Sequence, residues 1–220
     1  MKRNLPRIFV VATGDVATGS DFPDRTSEVL SAGGRGCAVQ LRAHGLPGGR
    51  VLDLAGDLRE MARRSDARLW INDRIDVALV IRADGVQLGA RSLDPDGARR
   101  VLGRSCWIGR SIHTSEEVGL VEADVYVLGN IFETASHPER AALGVAAVRE
   151  AARFGRPIVA IGGITPERTR EVVEAGAWGI AVSSGVWGAR DPAAAMVRYA
   201  RALDEAECVG SVSNRTESNG

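Results

Sequence analysis

The sequence predicts a single-domain α/β protein with the (β/α)8 TIM barrel architecture, and three observations carry that expectation. Eight short apolar, β-branched runs alternate strictly with amphipathic stretches along the chain. The runs are apolar throughout, as strands of a parallel sheet covered by helices should be. Loops rich in glycine and serine follow the last two runs, where such barrels build a phosphate cradle from backbone N–H groups. An open doubly wound sheet would carry Gly-x-Gly-x-x-Gly after its first strand, and Ala12-Thr-Gly-Asp15 lacks it.

The predicted strands are Ile8–Thr13, Cys37–Arg42, 69–72, Gly85–Leu88, 106–110, 125–129, 158–162 and 179–183. Helix starts are marked by Asp94-Pro95, Thr165-Pro166 and Asp191-Pro192, an N-cap acceptor ahead of a proline whose φ suits the first turn. Thr114 with Glu117 reads as a capping box. The barrel domain is expected over residues 1–206, and the polar, serine- and asparagine-rich stretch 207–220 as a disordered tail.

At 220 residues, 45% hydrophobic and formally uncharged overall, the chain can bury a large core and has no charge excess for nucleic acid or a membrane surface. No apolar run approaches a membrane span, and the N-terminus lacks a signal-peptide pattern, so a cytoplasmic protein is expected. Cys37, Cys106 and Cys208 show no paired metal spacing, and the first two sit in apolar runs as small hydrophobes. Of 28 basic residues 27 are arginine, and the lone lysine is Lys2, which removes imine-forming barrels from consideration.

Backbone N–H groups of Gly162, Gly163 and Ile164, and of Ser183, Ser184 and Gly185, are the phosphate candidates. The same glycines would also serve simply to relieve crowding at strand-to-helix corners. Two such loops on the last two strands favour a small phosphorylated ligand.

The remaining strand ends carry Thr13, Gln40, Arg42, Asn72, Asp73, Gln87, Ser111 and His113, a polar set with one imidazole. His113 is suited to proton transfer near neutral pH, or else is a histidine hydrogen-bonded at a loop entrance. The adjoining capping position would disfavour imidazolium there. His44 and His137 read as surface residues. Arg42, Asn72, Ser92 and Ser111 are candidates for substrate contact, each open between that role and fixing a loop, while Gln40 and Thr134 read as polar groups of the pocket wall and Gly129 as a further substrate contact. Phe132 either closes over a ligand ring or fills the mouth. Asp73 is open between a lone magnesium ligand and a helix cap, and with no His-x-x-x-His or carboxylate pair, neither a metal nor another cofactor is assigned.

Five strings resemble the thiamine phosphate synthase superfamily, barrels of thiamine biosynthesis: Gln40-Leu-Arg42, Ile71-Asn-Asp-Arg-Ile-Asp-Val-Ala-Leu79, Ala83-Asp-Gly-Val-Gln-Leu-Gly89, Ile108-Gly-Arg-Ser-Ile-His113 and the Ile161-Gly-Gly-Ile164 loop. The resemblance runs from about residue 8 to 201 and includes two branches. Synthases join a pyrimidine pyrophosphate to a thiazole phosphate, using Mg²⁺ and cationic side chains for the leaving pyrophosphate. Three departures from their pattern fall on that function. Gln-Leu-Arg-Glu-Lys becomes Gln40-Leu-Arg-Ala-His44, the second magnesium carboxylate after strand four gives way to Gln87-Leu-Gly-Ala-Arg-Ser92, and Thr-x-Thr-Lys becomes Thr134-Ala-Ser-His137.

The strings 108–117, 129–134 and 157–185 look instead like the TenI-like thiazole tautomerases. That resemblance implies an isomerase in which His113 carries a proton from ring carbon 2 of a non-aromatic carboxythiazole phosphate to its exocyclic carbon, aromatising the ring without metal or nucleophile. Two alternatives stay open: a synthase in which Arg42 and Asp73 compensate for the missing groups, and a non-catalytic regulator that binds a phosphorylated ligand. The resemblance also admits a homodimer.

Overall fold

Strands that are apolar on both faces must bury both, and a closed ring inside a shell of helices does so. The computed structural model describes residues 4–134 and 141–217. Its strands are β1 (Ile8–Thr13), β2 (Cys37–Arg42), β3 (Arg68–Asn72), β4 (Gly85–Leu88), β5 (Trp107–Ile112), β6 (Val125–Leu128), β7 (Ile158–Ile161) and β8 (Gly179–Val182). All pair in parallel in sequence order, and β8 returns to β1 through Ile8–Ile180, Phe9–Ala181 and Val10–Val182. The predicted (β/α)8 barrel is the observed fold.

The helices are α1 (Gly14–Ala17), α2 (Phe22–Gly33), α3 (Gly48–Arg64), α4 (Ile75–Val80), α5 (Pro95–Leu102), α6 (Glu117–Leu120), α7 (Gly144–Ala152), α8 (Pro166–Glu174), α9 (Ser184–Trp187) and α10 (Pro192–Glu217). Helix α10 packs between α8 and α2 and closes the outer ring. Among the described residues no helix is long and apolar enough to cross a membrane.

Three predicted helix starts have their side-chain caps: Asp94 accepts from Gly97 N (2.8 Å), Thr165 from Arg168 N (3.3 Å) and Asp191 from Ala194 N (2.8 Å). The capping box at Thr114 is a correction. Glu117 Oε1 accepts from the backbone N–H groups of His113 (2.9 Å) and Thr114 (3.0 Å), but α6 begins only at Glu117, with Glu116 at its N-cap. Residues 114–116 are spent folding Glu117 back over the strand end, so His113 has a carboxylate against its backbone in place of the positive helix end expected there. At the C-terminus α10 continues through residue 206 to Glu217, so the domain boundary read from composition does not coincide with a helix end.

Inside the ring, Phe9, Val11, Ala38, Trp70, Val125, Val127, Val159 and Ala181 form a cluster separate from the larger one between sheet and helices. Trp70 fills the centre, edge-on to Phe9 with centroids 5.0 Å apart. It fits because the neighbouring inward positions are Gly85 and Gly109: a Cβ at Gly85 would collide with the indole. Below this layer, Asp84 accepts from Leu69 N (3.0 Å) and Arg59 Nη1 (2.6 Å), and Asp124 accepts from Ile108 N (2.7 Å) and from Arg99. Each carboxylate ties the start of one strand to its neighbour. With Trp70 and these ties closing the lower half, polar chemistry is confined to the other end.

Candidate active site

Strand parity fixes which side chains reach the mouth. Counting inward positions upward from the Trp70 layer gives Gln40 on β2, Asn72 on β3, Gln87 on β4 and Ser111 on β5, then Arg42, His113 and Gly129 at the rim. Gln40 and Gln87 are 5% and 3% exposed, so they are the floor. Gln40 Nε2 donates to Asn72 Oδ1 (3.1 Å), and Gln87 Nε2 donates to Ser111 Oγ (2.8 Å). Gln87 Oε1 is buried without a partner among the described residues, which marks it as a site group that the sequence placed at a strand end but did not single out.

Asp73 holds a left-handed backbone conformation, φ +60°, which aspartate tolerates better than most residues. The conformation turns its carboxylate toward the loop after β4. Oδ1 accepts from Ser92 Oγ and from Gly89 N (3.2 Å), and Oδ2 accepts from Asn72 Nδ2 (2.7 Å) with His44 Nε2 3.6 Å away. Asp73 therefore does not cap α4, whose N-cap is Arg74. Its oxygens are already satisfied by protein donors, and Ser92, at the position of the synthases' second magnesium carboxylate, supplies a hydroxyl. Among the described residues no group of three or more histidine, cysteine, aspartate or glutamate side chains could hold a metal. This donor set does not fit the magnesium site of the synthase pattern.

Arg42 is exposed, ion-pairs with none of the described residues, and lines a mouth cavity of about 450 Å³ with Thr13, Asp15, Thr18, His44 and Leu46. His44, expected at the surface, is exposed but belongs to this cavity and to the Asp73 cluster. Its spacing from Arg42, two residues further along the same inward parity, was the available signal. Across the mouth, on β5, His113 is exposed and its Nδ1 lies 3.3 Å from Gly129 O. A carbonyl can only accept, so this contact puts the ring proton on Nδ1 and leaves Nε2 as the basic nitrogen.

The loop after β7 has an unusual hydrogen-bond pattern. Four successive carbonyls are each held by a donor: Ile161 O by Ile131 N (2.9 Å), Gly162 O by Phe132 N (3.0 Å), Gly163 O by Arg168 Nη1 (2.9 Å) and Ile164 O by Tyr199 Oη (3.0 Å). In a trans peptide the N–H points opposite to the C=O, so each of the N–H groups of Gly162, Gly163, Ile164 and Thr165 points away from the donor that holds its own peptide's carbonyl. Among the described residues these four donate no turn, loop or cap hydrogen bond, nor do Ser184 and Gly185 at the start of α9. Gly162 and Gly163 adopt φ +99° and +64°, and a Cβ on either would collide with the β6 loop at Asn130 or Glu133. Close packing therefore requires these glycines, and the N–H groups beside them are the ones the sequence offers as phosphate donors. The Ser183 hydroxyl donates to Val11 O (2.8 Å) and is not turned to the mouth loops.

The fold thus brings together Gln40, Asn72, Asp73 and Ser92 on one side, Ser111 with Gln87 in the floor, and His113 with Gly129 on the far rim. Thr134 is half-buried beyond β6, and His137 lies outside the described residues. Asn130, whose Nδ2 is buried and without a partner among the described residues, and Tyr199 carried no sequence signal.

A closed parallel barrel with a glycine turn after β7, a short extra helix after β8 and polar side chains gathered at the strand ends has the layout of an enzyme-type (β/α)8 barrel. Comparison with known proteins gives the family. Residues 8–186 match the family model TMP-TENI, thiamine monophosphate synthase, and the chain belongs to that family of thiamine biosynthesis. It is 38% identical over 172 residues to thiamine-phosphate synthase 1 of Aquifex aeolicus, covering 76% of this chain and 80% of that one. It is 35% identical over 206 residues to thiamine-phosphate synthase of Moorella thermoacetica, covering 90% and 96%. Among solved structures, thiamine phosphate pyrophosphorylase from Pyrococcus furiosus superposes with TM-score 0.81 at 31% identity, covering 93% of this chain and 98% of that chain.

Proposed function

We propose that the protein is a thiazole tautomerase, a soluble cytoplasmic enzyme that aromatises a carboxythiazole phosphate. The observation that carries this reading is the Asp73–Ser92 hydrogen bond: where a synthase would place a second carboxylate for Mg²⁺, this chain places a donor that occupies the first. Replacement of the two pattern lysines, by His44 and at residue 137, acts in the same direction.

The chemistry needs one base and one anchor. The nests after β7 and β8 would hold the phosphate, and Gln40, Asn72, Ser111 and Gln87 would floor the ring. His113 Nε2 would remove the proton from ring carbon 2, and the electrons of that C–H bond would move into the ring. The same proton would return to the exocyclic carbon as its double bond shifts, leaving an aromatic ring and a neutral imidazole. Gly129 O, holding Nδ1–H, would leave Nε2 as the nitrogen that takes the proton and gives it back.

The second reading, thiamine phosphate synthase, is favoured by the names of the relatives at 35–38% identity. One experiment separates the two. Protein is supplied with the non-aromatic carboxythiazole phosphate, the pyrimidine pyrophosphate and Mg²⁺, and both products are followed by NMR. Fast aromatisation without thiamine phosphate is expected, with His113→Gln lowering kcat by about 10²–10⁴ while product binding persists. Thiamine phosphate would establish the synthase; binding with neither product, unaffected by His113→Gln, would establish a regulator.

A further inference from the structure

We infer that Tyr199, on the last helix, is a positioning residue for the phosphate nest, a role that rests on the phosphate-binding reading above. Tyr199 is 2% exposed, and its hydroxyl donates to Ile164 O (3.0 Å). The same hydroxyl lies against Gly185, where a Cβ would collide with it. One phenol on α10 therefore touches both nest loops, 162–164 and 183–185, from behind.

The peptide linking Ile164 to Thr165 is the last of the four whose carbonyls are held, and the only one held by a side chain from outside the local β6–β8 segment. Release of that carbonyl frees the unit to rotate, and the Thr165 N–H turns away from the mouth with it. Thr165 also caps α8, so its backbone orientation sets where the positive end of that nine-residue helix faces the ligand. Burial, with the Glu167 charge beside it, raises the phenol's pKa, which keeps the hydroxyl proton in place as a donor. The hydroxyl acts through the backbone and touches no reacting atom, so its loss should weaken anion binding and spare the chemical step.

The test uses Tyr199→Phe in the full chain, which removes the hydroxyl and keeps the ring. Inorganic phosphate is titrated into wild type and variant with the backbone amides followed by NMR, and kcat and KM are measured for the phosphorylated substrate. In wild type, phosphate is expected to shift the amides of Gly162, Gly163, Ile164, Thr165, Ser184 and Gly185. In Tyr199→Phe the Thr165 shift should be lost, with phosphate Kd and substrate KM raised about tenfold and kcat within about twofold. Phosphate shifts in wild type that persist unchanged in the variant would overturn the role of Tyr199 alone. Absence of those shifts in wild type would overturn the phosphate nest itself. Should Tyr199→Phe fail to fold, Arg168→Met removes the neighbouring hold on Gly163 O from an exposed position. There the lost shift should be that of Ile164, and an unchanged Ile164 response would overturn the premise that a held carbonyl sets its peptide's N–H, and the role of Tyr199 with it.

Discussion

Ser92→Asp should turn the Asp73 cluster into a divalent-cation site. In the native protein Ser92 Oγ donates to Asp73 Oδ1, and Gly89 N lies 2.8 Å from Ser92 Oγ and 3.2 Å from Asp73 Oδ1. An aspartate at 92 replaces that donor with a second carboxylate about 4 Å from the first, a repulsion of about 4 kcal/mol at an effective dielectric near 20. The Asp73 side chain is 31% exposed, so solvent and salt reduce this to about 2 kcal/mol. Loss of the hydrogen bond adds about 1 kcal/mol. Without metal the variant should melt about 6–12 °C below wild type. Mg²⁺ at about twentyfold its Kd would restore about 1.8 kcal/mol, or about 4–7 °C. Thermal unfolding with and without Mg²⁺ reads both effects. Wild type should move by less than about 1 °C at the same Mg²⁺ concentration. A wild type that gains as much from Mg²⁺ as Ser92→Asp would refute the claim that Ser92 has displaced the cation.

Two further outcomes follow from buried groups away from the mouth. Asp84→Ala strands the buried Leu69 N–H and unpairs Arg59, a loss of about 3 kcal/mol, visible as a lower urea midpoint at unchanged m. Asp84→Asn, which keeps an acceptor for Leu69, should lose less than half as much, and equal losses would show that the acceptor is not what matters. With a thiol reagent at pH 8 the exposed Cys208 should react, while Cys37, whose pKa burial pushes up to about 12, and the buried Cys106 should react only on unfolding. Three fast thiols in the native protein would contradict the core packing.

The barrel was legible because parallel strands with both faces covered leave a signal that no other element makes: eight apolar β-branched runs at regular spacing. Strand ends were less so. β5 runs to Ile112, two residues past the predicted end, because Ser111, after the charged Arg110, looks like loop in a linear scan. In the sheet Ser111 faces inward to Gln87, and Arg110 reaches the loop after β4 through Gly89 O (2.8 Å). The Thr114 capping box failed for a related reason. A carboxylate three residues on can satisfy two backbone N–H groups without a helix starting between them, and spacing alone does not distinguish the cases.

At the site, local spacing revealed what lies on one strand or one loop, and missed what depends on where distant segments meet. His113 and the Gly162-Gly163 turn could be chosen from the sequence because each sits at a strand end. The hold on Ile164 O comes from a tyrosine 35 positions away, on a helix whose place against α8 is fixed only once the ring closes. Asp73 shows the same limit from the other side. The residue is shared with the synthase pattern, yet its chemistry is set by whether the group 19 positions later is a carboxylate or a hydroxyl. A carboxylate there makes Asp73 half of a cation site; a hydroxyl makes it a closed hydrogen-bonded cluster that stiffens the mouth. Overall identity of 35–38% to synthases therefore establishes the family and its scaffold, whereas the reaction proposed above turns on a handful of strand-end side chains that barely change the identity.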